Sequence, residues 1–257
     1  MTAFQAVILG IIQAFTEFLP ISSSGHLVLV QKFFLFQTPP IFFDILVHIG
    51  TLLAIIFYLR KELTDLVLNY KRKENQKLIA LIILGTMPII LVGFLIRNRV
   101  ETIFNSLTIL GISFLLTAII LLSTHFIKKF EKNLTKINWK DSIFIGFSQA
   151  LAILPGVSRS GATISAALWK NIDRKSSFRF SFFLAIPAIL GALILQLFEI
   201  RDSVKIDIVN GLIGLVVATI FGFLALKILE KVLIKGKLSL FGCYCFLLGV
   251  IVLIFLR

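Results

Sequence analysis

Residues 10–25 read GIIQAFTEFLPISSSG, and this polar break in an apolar chain returns in altered form as GFSQALAILPGVSRSG at residues 146–161. Each segment begins with Gly, has Gln three positions later and ends with Gly fifteen positions after the first, with a Pro and a Ser cluster in between. Pro disfavours helix before it and Ser favours a helix start, so each segment predicts two short helices joined at a polar break. The recurrence of the pattern predicts an internal repeat.

The composition places the chain in a membrane. Of its 257 residues, 58% are hydrophobic and the mean hydropathy is +1.00, whereas soluble domains are about 45–50% apolar. The apolar residues come in long blocks, so we expect one integral membrane domain over residues 1–257. The first block lacks a basic flank and a small-residue cleavage site, which disfavours a cleaved signal peptide. Cys243 and Cys245 have no neighbouring His or acid, which disfavours a metal site or a disulfide framework.

Six segments have the apolarity and the length, about 20 residues, of membrane-spanning helices. They are Ile41–Leu59, Leu78–Ile96, Leu107–Ile127, Phe180–Phe198, Ile208–Leu226 and Leu238–Leu256. Residues 3–37 and 143–169 are also apolar, but the polar breaks leave arms that are mostly too short to cross, which predicts two re-entrant helix hairpins. The expected fold is an all-α polytopic membrane protein with six transmembrane helices and two re-entrant hairpins.

The 26 Lys and Arg residues are distributed unequally between the two faces that this arrangement defines. Nineteen fall on one face and six on the other, with Arg159 at a hairpin tip. The positive-inside rule makes the richer face cytoplasmic, so the first hairpin enters from the outside and the second from the cytoplasm. Three spans follow each hairpin, so residues 1–127 and 141–257 are expected to form an inverted-topology repeat. Basic residues that flank spans also explain the net charge of +13 without a nucleic-acid partner.

The first break places several reactive groups in one short segment. Gln13 and Glu17 are four positions apart and therefore share a helix face. The hydroxyls of Ser22–Ser24 supply N-caps for the next helix, whose free N–H groups form an anion site. His26 is expected in the first turn of that helix, close to the anion.

The second break contributes a cation in the same kind of setting. Arg159 lies between Ser158 and Ser160 at a predicted helix start. Together the two tips offer two helix N-termini, several hydroxyls, a guanidinium, an imidazole and a carboxylate, which suits a phosphate group. The residues expected to hold such a substrate are Gln13, Ser22, Ser24, Gly25, Ser158, Ser160 and Thr163.

The expected catalytic residues are Ser23, His26, Glu17 and Arg159. Arg159 can hold phosphate oxygens and stabilise transition-state charge. Ser23 is the candidate nucleophile with His26 as its general base, and direct attack by water is the alternative. Glu17 is expected either to bind a divalent cation that bridges a diphosphate or to orient His26. The structural alternatives are a Glu17–Arg159 ion pair, a packing role for His26 and helix capping by the serines.

Asp44 and His48 form a second polar pair on the outer side of the membrane. They are four positions apart, on one face of the predicted span over residues 41–59. They either line the entrance to the site or serve as an interfacial acid and a packed histidine.

The two breaks carry motifs that resemble those of the undecaprenyl-diphosphatase family, also called the bacitracin-resistance protein family, and the resemblance covers nearly the whole chain. The first motif, Glu/Gln-x-x-x-Glu followed by Pro-x-Ser-Ser-Ser/Thr-Gly-His, is met by Gln13, Glu17, Pro20, Ser22, Ser23, Ser24, Gly25 and His26. The second motif, Pro-Gly-x-Ser-Arg-Ser-x-x-Thr, is met by Pro155, Gly156, Ser158, Arg159, Ser160 and Thr163. The first acidic position, often Glu in the family, is Gln13 here, which places more weight on Glu17 as a metal ligand.

The resemblance implies a function as well as a fold. It implies removal of the terminal phosphate from a polyprenyl diphosphate lipid, undecaprenyl diphosphate, to regenerate the monophosphate carrier for peptidoglycan synthesis. It also implies dependence on a divalent cation, Mg²⁺ or Ca²⁺, with Glu17 as a ligand, and tolerance of bacitracin. The implied location is the bacterial cytoplasmic membrane, with the site open to the outer side. Whether two copies form a homodimer is left open.

Two other functions fit parts of the pattern. A transporter or flippase of polyprenyl phosphate lipid would share the inverted repeat and the polar tips, but it would need neither a nucleophile nor a base. A phosphatase of the phosphatidic-acid type is suggested by the Ser24–His26 string. That family requires a further His after a Ser-Arg pair, and none follows Ser158 and Arg159 at the required spacing.

Overall fold

The apolar segments fold into helices, as the computed structural model of the chain shows for residues 1–33, 41–96, 99–199 and 207–256. These described residues contain no β-strand, and one isolated bridge joins Lys132 to Ile172. The all-helical prediction is therefore confirmed for this part of the chain. The last residues of the predicted first hairpin, 34–37, lie outside it.

Twelve α-helices occur in the described residues. They are α1 (Ala3–Phe18), α2 (Ser23–Phe33), α3 (Ile41–Tyr58), α4 (Arg60–Leu68), α5 (Lys73–Ile96), α6 (Val100–Asn105), α7 (Leu107–Ser123), α8 (Trp139–Ala150), α9 (Arg159–Trp169), α10 (Arg174–Glu199), α11 (Ile208–Ile234) and α12 (Ser239–Phe255).

Four described segments are long and apolar enough to cross a membrane. They are Lys73–Ile96, Leu107–Phe126, Arg174–Leu197 and Ile208–Ile234. A fifth is counted if α3 and α4, which meet at an angle of 76°, are taken as one span. The last predicted span corresponds to α12, an apolar helix of 17 residues. The membrane-spanning character of the fold is thus confirmed, and the arrangement of six spans with two hairpins stays a prediction.

Each predicted hairpin consists of two short helices with a break between them, and we use the words first hairpin for α1 with α2 and second hairpin for α8 with α9, whatever their course in the membrane. The first helices of the two segments begin alike. In α1 the Thr2 hydroxyl accepts from the Gln5 N–H, and the Gln5 side-chain oxygen accepts from the Thr2 N–H; Asn138 and Asp141 make the same capping box for α8. Such reciprocal bonds satisfy N–H groups that have no partner inside the helix. The helix α8 begins 136 positions after α1, and α9 begins 136 positions after α2.

Glycines let the first helix of each hairpin approach a long helix closely. A Cβ atom on Gly10 of α1 would lie 3.0 Å from the carbonyl oxygen of Gly214 in α11. Gly146 of α8 meets the carbonyl of Gly85 in α5 in the same way, at still closer range. Small residues at such crossings allow membrane helices to pack with their backbones in contact. The α1–α11 and α8–α5 pairs are therefore built on the same device.

The largest buried cluster lies where α1, α3, α10 and α11 meet. Phe18, Ile55, Phe182 and Leu229 are among its buried members. The rings of Phe18 and Phe182 pack edge to face with centroids 5.8 Å apart, a favoured geometry for aromatic pairs. Because Phe18 follows Glu17 directly, this packing fixes the end of α1 that carries the Glu17 carboxylate.

Candidate active site between the two hairpins

The two hairpin tips meet through a buried ion pair. Arg159 Nη2 donates to Glu17 Oε1 at 2.7 Å, and the two side chains are only 12% and 10% exposed. The guanidinium carbon also lies 6.0 Å from the centre of the Phe182 ring. Charged groups are costly to bury, and a close charge-assisted hydrogen bond offsets part of that cost. The structure thus brings together the carboxylate of the first tip and the cation of the second.

The hydroxyl of Ser23 shares the same carboxylate. Ser23 Oγ donates to Glu17 Oε2 at 2.7 Å, so the two carboxylate oxygens of Glu17 hold one residue from each hairpin. An activated serine needs an acceptor within this range. The acceptor for Ser23 in this structure is Glu17.

The predicted pairing of His26 with Ser23 differs from the structure. His26 Nδ1 lies 2.7 Å from the carbonyl oxygen of Ser22, and Nε2 lies 2.7 Å from the Tyr244 hydroxyl of α12. Both ring nitrogens are therefore engaged, and no hydrogen bond joins His26 to Ser23 or Glu17 among the described residues. The reason is local: one helical turn separates Ser22 from His26, so the ring folds back on the carbonyl at the helix start.

Ser22 ties the two tips together through its side chain and its backbone. Its Oγ accepts from the backbone N–H of Gly25 at 3.3 Å and of Gly156, in the other hairpin, at 3.1 Å. The residue is buried, and its φ of 69° is in the left-handed region, which costs about 1–2 kcal/mol for a residue other than glycine. Helix capping, the structural alternative for this serine, is what the geometry shows. Ser24 Oγ lies 3.3 Å from the same hydroxyl.

The predicted substrate hydroxyls of the second tip face other protein groups. Ser158 Oγ accepts from the Gly161 N–H at 3.1 Å and lies 3.2 Å from Ser160 Oγ. Thr163 Oγ1 donates to the Arg159 carbonyl and lies 2.6 Å from Ser181 Oγ in α10. These hydroxyls are buried. They build and anchor the start of α9, and through it they position Arg159.

Gln13 connects Glu17 to His48, a link that the sequence patterns did not predict. Its Nε2 lies 3.4 Å from Glu17 Oε2 and 3.2 Å from His48 Nε2, while His48 Nδ1 lies 2.8 Å from the Asp44 carbonyl. Because a carbonyl only accepts, His48 Nδ1 carries the hydrogen and Nε2 accepts from the Gln13 amide. The amide oxygen of Gln13 is consequently left buried without a partner among the described residues.

A cavity of about 280 Å³ opens beside Ser23. Its walls combine polar and apolar side chains: Ser23, Ser24, Leu27, Val28, Asp44, His48, Phe104 and Gln196. Gln196 of α10 donates to Asp44 Oδ2 at 3.4 Å, so both hairpin-bearing halves contribute to the wall. Asp44 and His48 therefore line the space next to Ser23, and their role at the entrance to the site stays a prediction.

Few protein groups at this site could hold a metal ion. Among the described residues no group of three or more His, Cys, Asp or Glu side chains is arranged as a metal centre. Glu17 is already engaged by Arg159, by Ser23 and by the amide nitrogen of Gln13, whereas the buried amide oxygen of Gln13 has no partner among the described residues. Such oxygen donors suit Mg²⁺, which is commonly bound by one or two carboxylates together with substrate phosphates. Glu17 and the Gln13 amide oxygen are therefore the groups of this site that could contribute to holding such an ion.

Several residues at the site carried no recognisable signal in the sequence. Tyr244 and Gln196 lie in apolar spans far from either break, and Thr117 of α7 accepts the Ser158 N–H and donates to the Gly156 carbonyl. Single polar residues in spans are a weak indication of function, because structural hydrogen bonding explains them equally well.

Comparison with known proteins gives a consistent result. The family model described as Bacitracin resistance protein BacA matches residues 6–251. An undecaprenyl-diphosphatase of Carboxydothermus hydrogenoformans is 43% identical over 99% of this chain and 97% of its own length. One from Desulforapulum autotrophicum is 39% identical over 99% and 98%, and undecaprenyl-diphosphatase 4 of Bacillus thuringiensis is 40% identical over 98% and 97%. The resemblance read from the two breaks is confirmed, and the chain belongs to the bacitracin resistance protein BacA family.

Proposed function

We propose that this chain is a membrane phosphatase that hydrolyses undecaprenyl diphosphate to undecaprenyl phosphate and inorganic phosphate. The observation that carries the proposal is the buried Glu17 carboxylate, which holds Arg159 of one hairpin and Ser23 of the other at 2.7 Å each. The relatives reported above are named undecaprenyl-diphosphatases. Those names favour the enzyme over a flippase.

Arg159 is suited to hold the terminal phosphate. Its Nη1 atom is buried and has no partner among the described residues, while Nη2 is held by Glu17. A guanidinium fixed on one edge presents its remaining N–H groups in a defined direction, and charge-assisted bonds to phosphate oxygens are among the strongest. The free edge of Arg159 would stabilise the charge on the transferring phosphoryl group.

Ser23 and Glu17 would carry the displacement. In the proposed step, Ser23 Oγ attacks the terminal phosphorus, its proton passes to Glu17 Oε2, and the bond from phosphorus to the bridging oxygen breaks to release undecaprenyl phosphate. Water then hydrolyses the phosphoserine and regenerates the hydroxyl. The hydrogen bond from Ser23 to Glu17 supports this route. Direct attack by water held by Glu17 is the alternative route, and Ser23→Ala separates the two.

A divalent cation, Mg²⁺ or Ca²⁺, is proposed to bind with the substrate. Glu17 and the Gln13 amide oxygen would be its protein ligands, and diphosphate oxygens would complete its shell. When bound, the ion would neutralise part of the diphosphate charge. Gln13 is held with its oxygen away from His48 by the hydrogen bond to His48 Nε2. This arrangement preserves a ligand although the amide has replaced the acid often found there.

The site is proposed to face the outer side of the cytoplasmic membrane, within an inverted repeat of residues 1–127 and 141–257. The matching capping boxes and the matching Gly10 and Gly146 contacts support the repeat.

Phosphate release by the purified protein tests the proposed function. Wild-type protein in detergent, supplied with undecaprenyl diphosphate and Mg²⁺ or Ca²⁺, should release inorganic phosphate, and Glu17→Gln should reduce the rate to near background. A matched control exists in Glu62 and Arg179, an ion pair of the same length, 2.7 Å, that also joins the two halves of the chain. Glu62→Gln should leave turnover unchanged. No release by the wild type, or an equal loss in both variants, would contradict the proposal.

A further inference from the structure

His26 is held at both ring nitrogens by groups of different character. The Ser22 carbonyl lies 2.7 Å from Nδ1, and the Tyr244 hydroxyl lies 2.7 Å from Nε2. A carbonyl oxygen can only accept, so Nδ1 keeps its hydrogen in every charge state of the ring. Proton exchange on His26 is therefore confined to Nε2, where Tyr244 is its neighbour.

Tyr244 also fixes the plane of the imidazole. The two rings are nearly parallel, with an angle of 8° and centroids 5.7 Å apart, while Phe114 meets the imidazole edge-on at 5.7 Å. The next residue, Cys245, is buried and places its Sγ 3.6 Å from the Pro20 carbonyl. Two successive residues of α12 thus contact the tip of the first hairpin, more than two hundred positions away in sequence.

The phenol hydroxyl suits a ring whose charge changes. It donates to Nε2 when the imidazole is neutral, and after rotation it accepts from Nε2–H when the ring is protonated. A carboxylate could only accept, and an ammonium could only donate. Tyr244 is 43% exposed, so the pair lies between the hairpin tip and the surface of the protein.

We propose that Tyr244 is a positioning residue for His26: the Ser22 carbonyl holds the Nδ1–H tautomer and leaves Nε2 as the exchanging nitrogen, and Tyr244 keeps the ring in place through a change of charge. The inference rests on the proposed phosphatase function. Two groups would then take part in proton transfer. Glu17 is placed to take the proton of Ser23, whereas His26 is held away from Ser23 by its bond to Tyr244. Any proton that His26 exchanges during the reaction would pass through Nε2 and the Tyr244 hydroxyl bonded to it.

Tyr244→Phe tests the assignment because it removes the hydroxyl and keeps the ring. The full-length protein labelled with ¹⁵N in histidine contains three imidazoles, and a His26→Gln sample identifies the signals of His26. In the wild type, His26 should show one protonated and one hydrogen-bonded unprotonated nitrogen. In Tyr244→Phe the Nε2 signal should move toward that of a free imidazole nitrogen, with the signals of the other two histidines unchanged. Tyr70→Phe, at an exposed tyrosine near the end of α4, is the matched control.

Turnover is measured on the same samples. We expect kcat for phosphate release to fall about tenfold in Tyr244→Phe with little change in KM, as for the loss of one orienting hydrogen bond of about 1.4 kcal/mol. An unmoved Nε2 signal would overturn the inference whatever the turnover, and so would unchanged kcat despite a moved signal. If the wild type released no phosphate, the proposed function would fail, whereas the tautomer would still be decided by the spectrum.

Discussion

The two hairpins share a backbone plan and differ in the chemistry placed on it. In each, a capping box opens the first helix, a glycine packs that helix on a long neighbour, and a serine, Ser22 or Ser158, caps the second helix after the break. When the two hairpins are aligned with an offset of 136 residues, Glu17 corresponds to Ile153, Ser23 corresponds to Arg159, and His26 corresponds to Ala162. The repeated frame supplies two helix N-termini, and the reactive groups are divided between them.

The two glutamines show how far the division goes. Gln13 is hydrogen-bonded to Glu17 and His48, whereas its counterpart Gln149 is fully buried and both of its amide atoms lack a partner among the described residues. The position four residues after Gln149, which corresponds to Glu17 in the first hairpin, is occupied by Ile153. The second hairpin therefore keeps the frame without the carboxylate, and its contribution to the site is Arg159.

Arg159→Gln should break the comparison most severely. The change removes the cation that joins the tips and leaves Glu17 buried without its charge partner. Loss of a transition-state arginine lowers turnover by about 10³-fold or more in phosphoryl transfer, and we expect a loss of that size in phosphate release. Arg179→Gln, which breaks the Glu62–Arg179 ion pair outside the candidate site, should retain wild-type turnover. Comparable losses in the two variants would mean that general destabilisation accounts for the effect.

Ser23→Ala comes next in size. Removal of the nucleophile should lower turnover by about 10²-fold or more, within the range for a group that takes part in proton transfer and attack. Ser148→Ala, in α8, is the control and should retain wild-type activity, because its hydroxyl donates to the Phe144 carbonyl and does not line the cavity. Substantial phosphate release by Ser23→Ala would assign the attack to water and leave Ser23 an orienting role.

Gly146→Ala sharpens the comparison at the level of packing. The added methyl group would collide with the backbone of Gly85, which cannot move as a side-chain tip can. Overpacking of this kind costs about 1–3 kcal/mol, so thermal unfolding in detergent should begin at a lower temperature. Gly10→Ala should have a smaller effect because its nearest neighbours are at 3.0 Å and beyond. In α10, Gly191→Ala meets nothing within 4 Å and should be neutral or stabilising, and a loss of stability there would question the packing argument.

The smallest effect is expected for Gln149→Leu. Replacing a buried amide that has no hydrogen-bond partner should be neutral or raise stability by about 1 kcal/mol, measured as the unfolding temperature, with turnover unchanged. Gln13→Leu should instead lower turnover, because it removes a hydrogen bond to Glu17. Equal losses of turnover in the two variants would show that Gln149 contributes to turnover as Gln13 does, which would contradict the difference between the two hairpins.

The sequence predicted the frame of the site because local rules govern it. Pro, Ser and Gly mark the breaks, and the positions of Glu17 and Arg159 at the tips followed from the hairpin pattern. The partners of these residues depend on long-range packing, and the partner of His26 differs from the predicted one for that reason, whereas its catalytic role stays a prediction. Its ring meets Tyr244 of α12, and no periodicity links two residues so far apart.

Helix ends were also predicted less well than helix existence. The helices α5 and α10 begin at Lys73 and Arg174, ahead of the predicted starts at Leu78 and Phe180. Hydropathy detects only the apolar part of a span, whereas a helix continues into its polar first turn. At Leu59 the helix does not continue straight into the polar residues. The chain bends there by 76° into α4, where the charged residues begin.

The most direct test of a single site shared by two hairpins is a double-mutant cycle on turnover. Glu17→Gln, Arg159→Gln and the combined variant are assayed for phosphate release from undecaprenyl diphosphate. When two groups act as one unit, removing either abolishes the contribution of both. The double variant should therefore be no slower than the slower single variant. The Glu62 and Arg179 variants, alone or combined, should show no loss of turnover. Losses that multiply in the Glu17–Arg159 double variant would mean that the two residues act independently, which would contradict the account.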